Sequence, residues 1–131
     1  MSGSQRTSVA GTVRYETGDR DERPWGSWEV IATGPRHTVK QLIIQPGKRH
    51  SLQFHNHRSE HWIVVAGTGE IELDDKRVRV GYGDHVLIET GMRHRLTCTG
   101  TQPMTLIEVQ IGDVLDEADI IRVEDDFGRA S

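Results

Sequence analysis

The ten residues QFHNHRSEHW, 53–62, hold three of the chain's seven histidines and a glutamate. Neutral imidazole nitrogens and an ionised carboxylate are ligands for Zn2+ and its neighbours in the first transition row. The stretch therefore reads as a metal site with more candidates than one ion can use. Strand geometry sorts them. In an extended strand alternate side chains share a face, so Ser51, Gln53, His55 and His57 point one way and Leu52, Phe54 and Asn56 the other. After a turn at NHRS, a second strand, EHWIVVAG, puts Glu60, Trp62 and Val64 on one face and His61, Ile63 and Val65 on the opposite one. Glu60 and His61 cannot both face the site. His57 sits at the turn, where parity fixes its direction least.

Such strands must belong to something larger. Short β-prone runs recur between turn signals at residues 27–31, 37–44, 50–55, 60–66, 70–73, 78–80, 85–88, 94–99 and 104–111. The punctuation is TGP, PGK, AGTG, LDDK, GYGD, ETGM and TGTQP, each with Gly, Pro or Asp for a turn. Strands at this spacing predict an all-β antiparallel sandwich or barrel. No helix is expected beyond a brief turn at DEAD, where Asp116 could cap it. At 131 residues the chain is long enough for one domain with a sizeable core and too short for two ordinary ones. The first twenty residues are polar, with few apolar anchors, and are expected to form a flexible arm, leaving residues 21–131 as the domain. A net charge of -4 with the 16 basic residues scattered gives no basic stretch for a nucleic-acid backbone. No transmembrane helix or signal peptide is legible. The lone Cys98 does not call for an oxidising compartment, so a cytoplasmic location is expected.

The spacing resembles the two signatures of the cupin superfamily. The first, G(x)5HxH(x)3,4E(x)6G, is reproduced by Gly47, Gln53, His55, Glu60 and Gly67, with Gln in place of the first His. The second, G(x)5PxG(x)2H(x)3N, is met by Gly83, Gly91 and His94, with Glu89 at the Pro position and Cys98 at the Asn position. The resemblance implies a jelly-roll β-barrel, the double-stranded β-helix, and a metal site of Gln53, His55, Glu60 and His94. Two imidazoles, a carboxylate and an amide oxygen suit one divalent ion, Zn2+ first, with Mn2+, Fe2+ or Co2+ as alternatives. Protein ligands from several strands leave a side open for water or substrate. His37, His61 and His85 are expected to be surface or satisfied polar residues.

A narrower resemblance covers residues 23–129. RPWG, SLQ followed by His, HRSEHW and the ending EDDFGR resemble the type II mannose-6-phosphate isomerase cupin, the C-terminal module of bifunctional guanylyltransferase/isomerase proteins. Trp28 and Phe127 stand where Tyr is usual, and Phe54 and Asn56 replace the more usual Met and His. The resemblance implies reversible isomerisation between mannose 6-phosphate and fructose 6-phosphate through an enediolate. Sugar-nucleotide formation is not expected, since a Gly-rich phosphate loop with a Lys is lacking. Such chemistry needs a general base, for which His57 and Glu108 are the candidates, with Lys40 as a polar neighbour. A 6-phosphate calls for cations: Arg129 first, then Arg58 and Lys40. Arg23 and Trp25 of RPWG are read as covering a barrel edge or joining a dimer interface, and a homodimer is expected from the superfamily. The competing readings are a metal cupin acting on another small polar substrate, as an epimerase or dioxygenase, and a sugar-binding cupin without catalysis.

Overall fold

The computed structural model describes residues 8–9, 12–115 and 117–124. Its strands are β1 (Ser8–Val9), β2 (Thr12–Val13), β3 (Arg20–Arg23), β4 (Gly26–Gly34), β5 (His37–Ile44), β6 (Leu52–Phe54) and β7 (Arg58–Ala66). They continue as β8 (Gly69–Leu73), β9 (Lys76–Val80), β10 (His85–Ile88), β11 (His94–Cys98), β12 (Met104–Gly112) and β13 (Ile121–Glu124). The one helical element among the described residues is a single 3-10 turn, Glu117–Asp119, at the place where DEAD predicts one; Asp116, the expected cap, lies outside the described residues. Apart from the small β1–β2 pair, the strands form a six-stranded sheet ordered β10-β7-β12-β5-β4-β3 and a five-stranded sheet ordered β13-β6-β11-β8-β9, all antiparallel. The all-β architecture predicted from the punctuation is the one observed, and each expected run has its strand among β4 to β12.

Alternation explains why these runs pack. Along β5 the residues that turn inward are Thr38, Lys40, Leu42 and Ile44, and along β12 they are Met104, Leu106, Glu108 and Gln110. Register sets them side by side: Met104 with Ile44, Leu106 with Leu42, Glu108 with Lys40 and Gln110 with Thr38. On its other edge β12 sets Leu106 beside Val64, Glu108 beside Trp62 and Gln110 beside Glu60. The inner face of the sheet thus changes character along its strands, apolar at one end and polar at the other. At the apolar end Ile44, Val64, Met104 and Leu106 meet Ile71, Leu96 and Cys98 of the five-stranded sheet. Each such aliphatic side chain, fully buried, contributes about 1.5–3 kcal/mol.

The signature glycines have a conformational reason. Gly47, Gly67, Gly83 and Gly91 have φ of 75°, 80°, 86° and 83°, the left-handed region that side-chain-bearing residues rarely adopt. They sit in the turns that carry the chain from one sheet to the other, β5 to β6, β7 to β8, β9 to β10 and β10 to β11.

Three boundaries differ from expectation. Tyr15, inside the stretch read as a flexible arm, is buried, packs edge-on against Trp28 at 5.8 Å and donates its backbone N–H to Leu115 O. Strand β3, RDER, was not anticipated, because an edge strand of charged residues carries no apolar alternation. Strand β7 begins at Arg58 rather than Glu60, which puts Arg58 on the face of Glu60.

Candidate metal centre and its cavity

The two strands of the HRSEHW region bring their inward residues to the polar end of the sandwich. Arg58, Glu60 and Trp62 alternate along β7 and are all buried. Arg58 Nε donates to Glu60 Oε2 at 2.9 Å, and Trp62 Nε1 donates to Glu60 Oε1 at 2.9 Å. The carboxylate is therefore gripped from both sides, and its plane is fixed. Burial alone would raise the Glu60 pKa, but the charges of His55 and Arg58 outweigh it and hold the carboxyl well below the usual range. Burial likewise works against the Arg58 cation, and Glu60 beside it more than compensates.

His55 and His94 complete the cluster. The Nδ1 of His55 lies 3.1 Å from Asp119 O, and that of His94 lies 3.0 Å from Met92 O. A carbonyl can only accept, so each Nδ1 carries the hydrogen, which leaves each Nε2 as the nitrogen that faces Glu60 and would bind an ion through its lone pair. His55 Nε2 lies 3.0 Å from Glu60 Oε2, and His94 Nε2 lies 4.0 Å from Glu60 Oε1. Ligand atoms of His55, Glu60 and His94 all fall within 4.8 Å of one another. Acceptors facing acceptors in a buried site repel unless a cation or a proton lies among them. The backbone carbonyls that orient the far ring nitrogens are the outer support such metal ligands ordinarily have. By this test the residues fit a divalent ion. Burial, followed by the neighbouring His55, lowers the His94 pKa to about 3 against the pull of Glu60, which keeps its imidazole neutral.

Gln53 is the register partner of His94 across β6 and β11 and lines the same cavity. Its Nε2 donates to Ser51 Oγ at 3.0 Å, so the amide oxygen is the end left for a cation. These side chains line a narrow cavity of about 60 Å³ that is open to solvent on one side. Lys40, Arg58 and Glu108 also line it. Lys40 Nζ lies 3.9 Å from the centre of the Tyr15 ring and 4.3 Å from that of Trp28. Glu108 accepts a hydrogen bond from Gln110 Nε2, and its pKa is pushed up to about 7, by burial first and then by the Glu60 charge.

Other expected residues fall elsewhere. His57 is exposed in the β6–β7 turn and is not on the cavity wall; Asp119 Oδ2 accepts its backbone N–H at 3.0 Å. A residue at the turn is aimed by the turn and not by strand parity, and here it is aimed outward. Arg58, expected to grip phosphate, directs its Nε to Glu60. Arg129 lies outside the described residues. His61 and His85 meet on the outer face, Nδ1 to Nε2 at 3.2 Å, and His37 is exposed, in keeping with their expected surface roles. Arg23, at the end of the edge strand β3, and Trp25 beyond it, read from sequence as covering an edge or joining an interface, also line the cavity.

Sequence reasoning passed over His50 and Asp119. His50 is buried, lines the cavity and stands edge-on to Trp25, Trp62 and His94, and burial lowers its pKa to about 4. It lies just before β6, where regular pairing has lapsed and parity carries no signal. Asp119 holds the β6–β7 turn with its carboxylate on the N–H groups of Asn56 and His57 while its carbonyl orients His55. Its only trace in the sequence is the DEAD turn.

A two-sheet antiparallel sandwich with a buried His–Glu–His cluster at one end, set by signature glycines and strand parity, defines a cupin with a potential metal site. The chain belongs to the family described as mannose-6-phosphate isomerase C-terminal, whose model matches residues 11–125. It is 46% identical over 107 residues, 82% of its length, to the xanthan biosynthesis protein XanB of Xanthomonas campestris pv. campestris (strain B100). It is 44% identical over 120 residues, 90% of its length, to the alginate biosynthesis protein AlgA of Pseudomonas aeruginosa. These alignments cover 23% and 25% of the relatives, so the chain spans about a quarter of their length. The cupin domain of Schizosaccharomyces pombe Cnp3 superposes with a TM-score of 0.66 at 11% identity, covering 71% of this chain and 69% of that one, and shares the fold. Among the described residues no helix is long and apolar enough to cross a membrane.

Proposed function

We propose that the chain is a divalent-metal-dependent isomerase interconverting mannose 6-phosphate and fructose 6-phosphate. The observation that carries the reading is the convergence of acceptors at His55, Glu60 and His94 on a cavity that also holds a carboxyl with a pKa of about 7. Gln53 would supply the fourth ligand, through its amide oxygen. The family to which the chain belongs names the substrate class.

When bound, a divalent ion would stabilise negative charge developing on the oxygens at C1 and C2 of the open-chain sugar. The rest of the work falls to the chain's own side chains. Glu108, in its ionised form, takes the proton from C2, giving the enediolate, and returns it to C1. The hydroxyl proton of O2 passes to O1, so the aldehyde at C1 becomes an alcohol and a ketone forms at C2. A base with a pKa near the working pH serves both directions of such a transfer. Lys40, the register partner of Glu108, is held between Tyr15 and Trp28 and keeps a positive charge beside the developing oxyanion. Arg58 and Trp62 hold the Glu60 carboxylate in place throughout.

A coupled assay for fructose 6-phosphate formed from mannose 6-phosphate tests the reading, run after chelation and again after adding Zn2+, Mn2+, Fe2+ or Co2+ singly. Turnover that chelator removes and a metal restores is expected. Absence of turnover with every metal would overturn it. In that event, tight sugar-phosphate binding would point to a non-catalytic receptor, and oxygen uptake with Fe2+ to a different reaction.

A further inference from the structure

The tip of the β3–β4 hairpin is folded into the cavity. Its turn is Pro24–Trp25, closed by the pairing of Arg23 with Gly26. Gly26 has φ +152°, and a Cβ there would meet the carbonyl oxygen of Ile43 at 1.8 Å, so the hairpin lies this close to β5 only with glycine. Gln45 N donates to Trp25 O at 2.9 Å, and the Trp25 ring, 6% exposed, packs edge-on to His50 at 6.0 Å. A tryptophan pinned inside the fold at a hairpin tip fixes the residue two positions before it. That residue, Arg23, is carried to the cavity wall, where Nη2 meets Asp21 Oδ2 at 3.1 Å and the side chain remains partly exposed.

A second arginine reaches the cavity from the other sheet. Arg122 on β13 is the register partner of Gln53, and Gln53 is the register partner of His94. Directly paired residues in antiparallel strands share a face, so Arg122, Gln53 and His94 form one row across the inner surface. With about 4.8 Å between neighbouring strands, the Arg122 backbone stands about 10 Å from that of His94. One end of the row carries metal-ligand chemistry and the other a guanidinium. The span is comparable to an open-chain six-carbon sugar between its carbonyl and a terminal phosphate.

We propose that Arg23 and Arg122, one from each sheet, form the subsite for the phosphate monoester end of the substrate. A guanidinium presents paired N–H donors that match phosphate oxygens, and two from opposite walls would enclose a dianion. The other cavity cations lie nearer the reacting end, Arg58 on Glu60 and Lys40 between the Tyr15 and Trp28 rings. The choice of a sugar phosphate rests on the isomerase reading, whereas capture of a phosphate group by these two arginines does not.

Binding of inorganic phosphate and of mannose 6-phosphate is measured by calorimetry on the full chain and on Arg23→Gln, Arg122→Gln and the double variant. Affinity for Zn2+ alone is measured in each to verify that the site is intact. Each single substitution is expected to weaken both ligands about tenfold, the equivalent of one charge-assisted contact, and the double variant more, with Zn2+ affinity unchanged. Arg→Lys at either position should recover part of the loss. Unchanged affinity for both ligands in the double variant overturns the subsite. So does a loss of Zn2+ affinity in step with phosphate, which would mark the arginines as scaffold. Because the readout is binding, a chain without turnover whose phosphate affinity still depends on Arg23 and Arg122 would sink the isomerase reading and leave this one standing.

Discussion

The apolar and polar ends of the sandwich are built on the same strands. Only Ile107 separates Leu106, packed between Leu42 and Val64, from Glu108, set between Lys40 and Trp62 on β12. Both are buried, yet their stability has different sources. At the apolar end any side chain of the right volume gains by leaving water. At the polar end each group must find a specific partner, as Glu60 does in Arg58 and Trp62, or it destabilises the fold. The apolar end therefore specifies shape, and the polar end specifies chemistry at a cost in stability that the apolar end offsets.

Substitutions on the two sides should separate these contributions. The largest effect is expected at Glu60. Glu60→Ala removes a ligand and leaves Arg58 buried without its counter-charge, a loss of about 3–5 kcal/mol, together with all metal binding. Leu106→Ala should cost a similar 2–5 kcal/mol or so in chemical denaturation and yet leave Zn2+ affinity of the folded protein unaltered. If both variants lost metal binding alike, the distinction between the ends would fail.

His94→Ala should abolish Zn2+ binding in calorimetry with less damage to the fold, while His61→Ala, on the outer face, should retain it. Equal losses in the two would remove His94 from the ligand set.

Glu108→Gln is expected to lower kcat by about 10²- to 10⁴-fold without weakening metal binding. It also has a stability signature. The Glu108 pKa is raised from 4.5 to about 7, so between these values the folded chain keeps a proton that the unfolded chain has released. Its stabilising contribution is present below pH 4.5 and is lost as pH rises through 7. The metal-free Gln variant should accordingly gain on the wild type above pH 7, by on the order of 3 kcal/mol, and the advantage should vanish below pH 4.5. A constant difference across pH would deny Glu108 its buried, proton-holding state.

His50 shows the opposite linkage, its pKa falling from 6.5 to about 4 on burial. Between those values the unfolded state binds the extra proton, so acidification through this window should destabilise the metal-free protein. His50→Asn should flatten that part of a melting-temperature profile by a few degrees. An unchanged slope would place the acid sensitivity elsewhere.

The fold and the centre of the site were legible because both rest on local rules. Glycines at the signature spacings mark turns of positive φ, and parity separates Glu60 from His61. What the sequence withholds is register between distant strands. Nothing local says that Arg122 and His94 flank Gln53, since those pairings close only when the sheets form. The same holds for Arg23 and Trp25: RPWG reads as an edge, which β3 is, but that its tip also reaches the cavity shows only with Gly26 lying against Ile43. His57 shows the converse, a residue of suggestive position whose direction was decided by a turn.

Cys98 ends the strand that His94 begins, and it is fully buried at the apolar end with Sγ against Gln102 O. A thiol reagent can reach it only when the sandwich opens. Labelling speed thus counts opening events, and an ion held at His94 should slow it in proportion to how tightly that ion is bound. The single thiol of the chain makes β11 a built-in gauge of occupancy, readable on the unmodified protein without substrate or turnover.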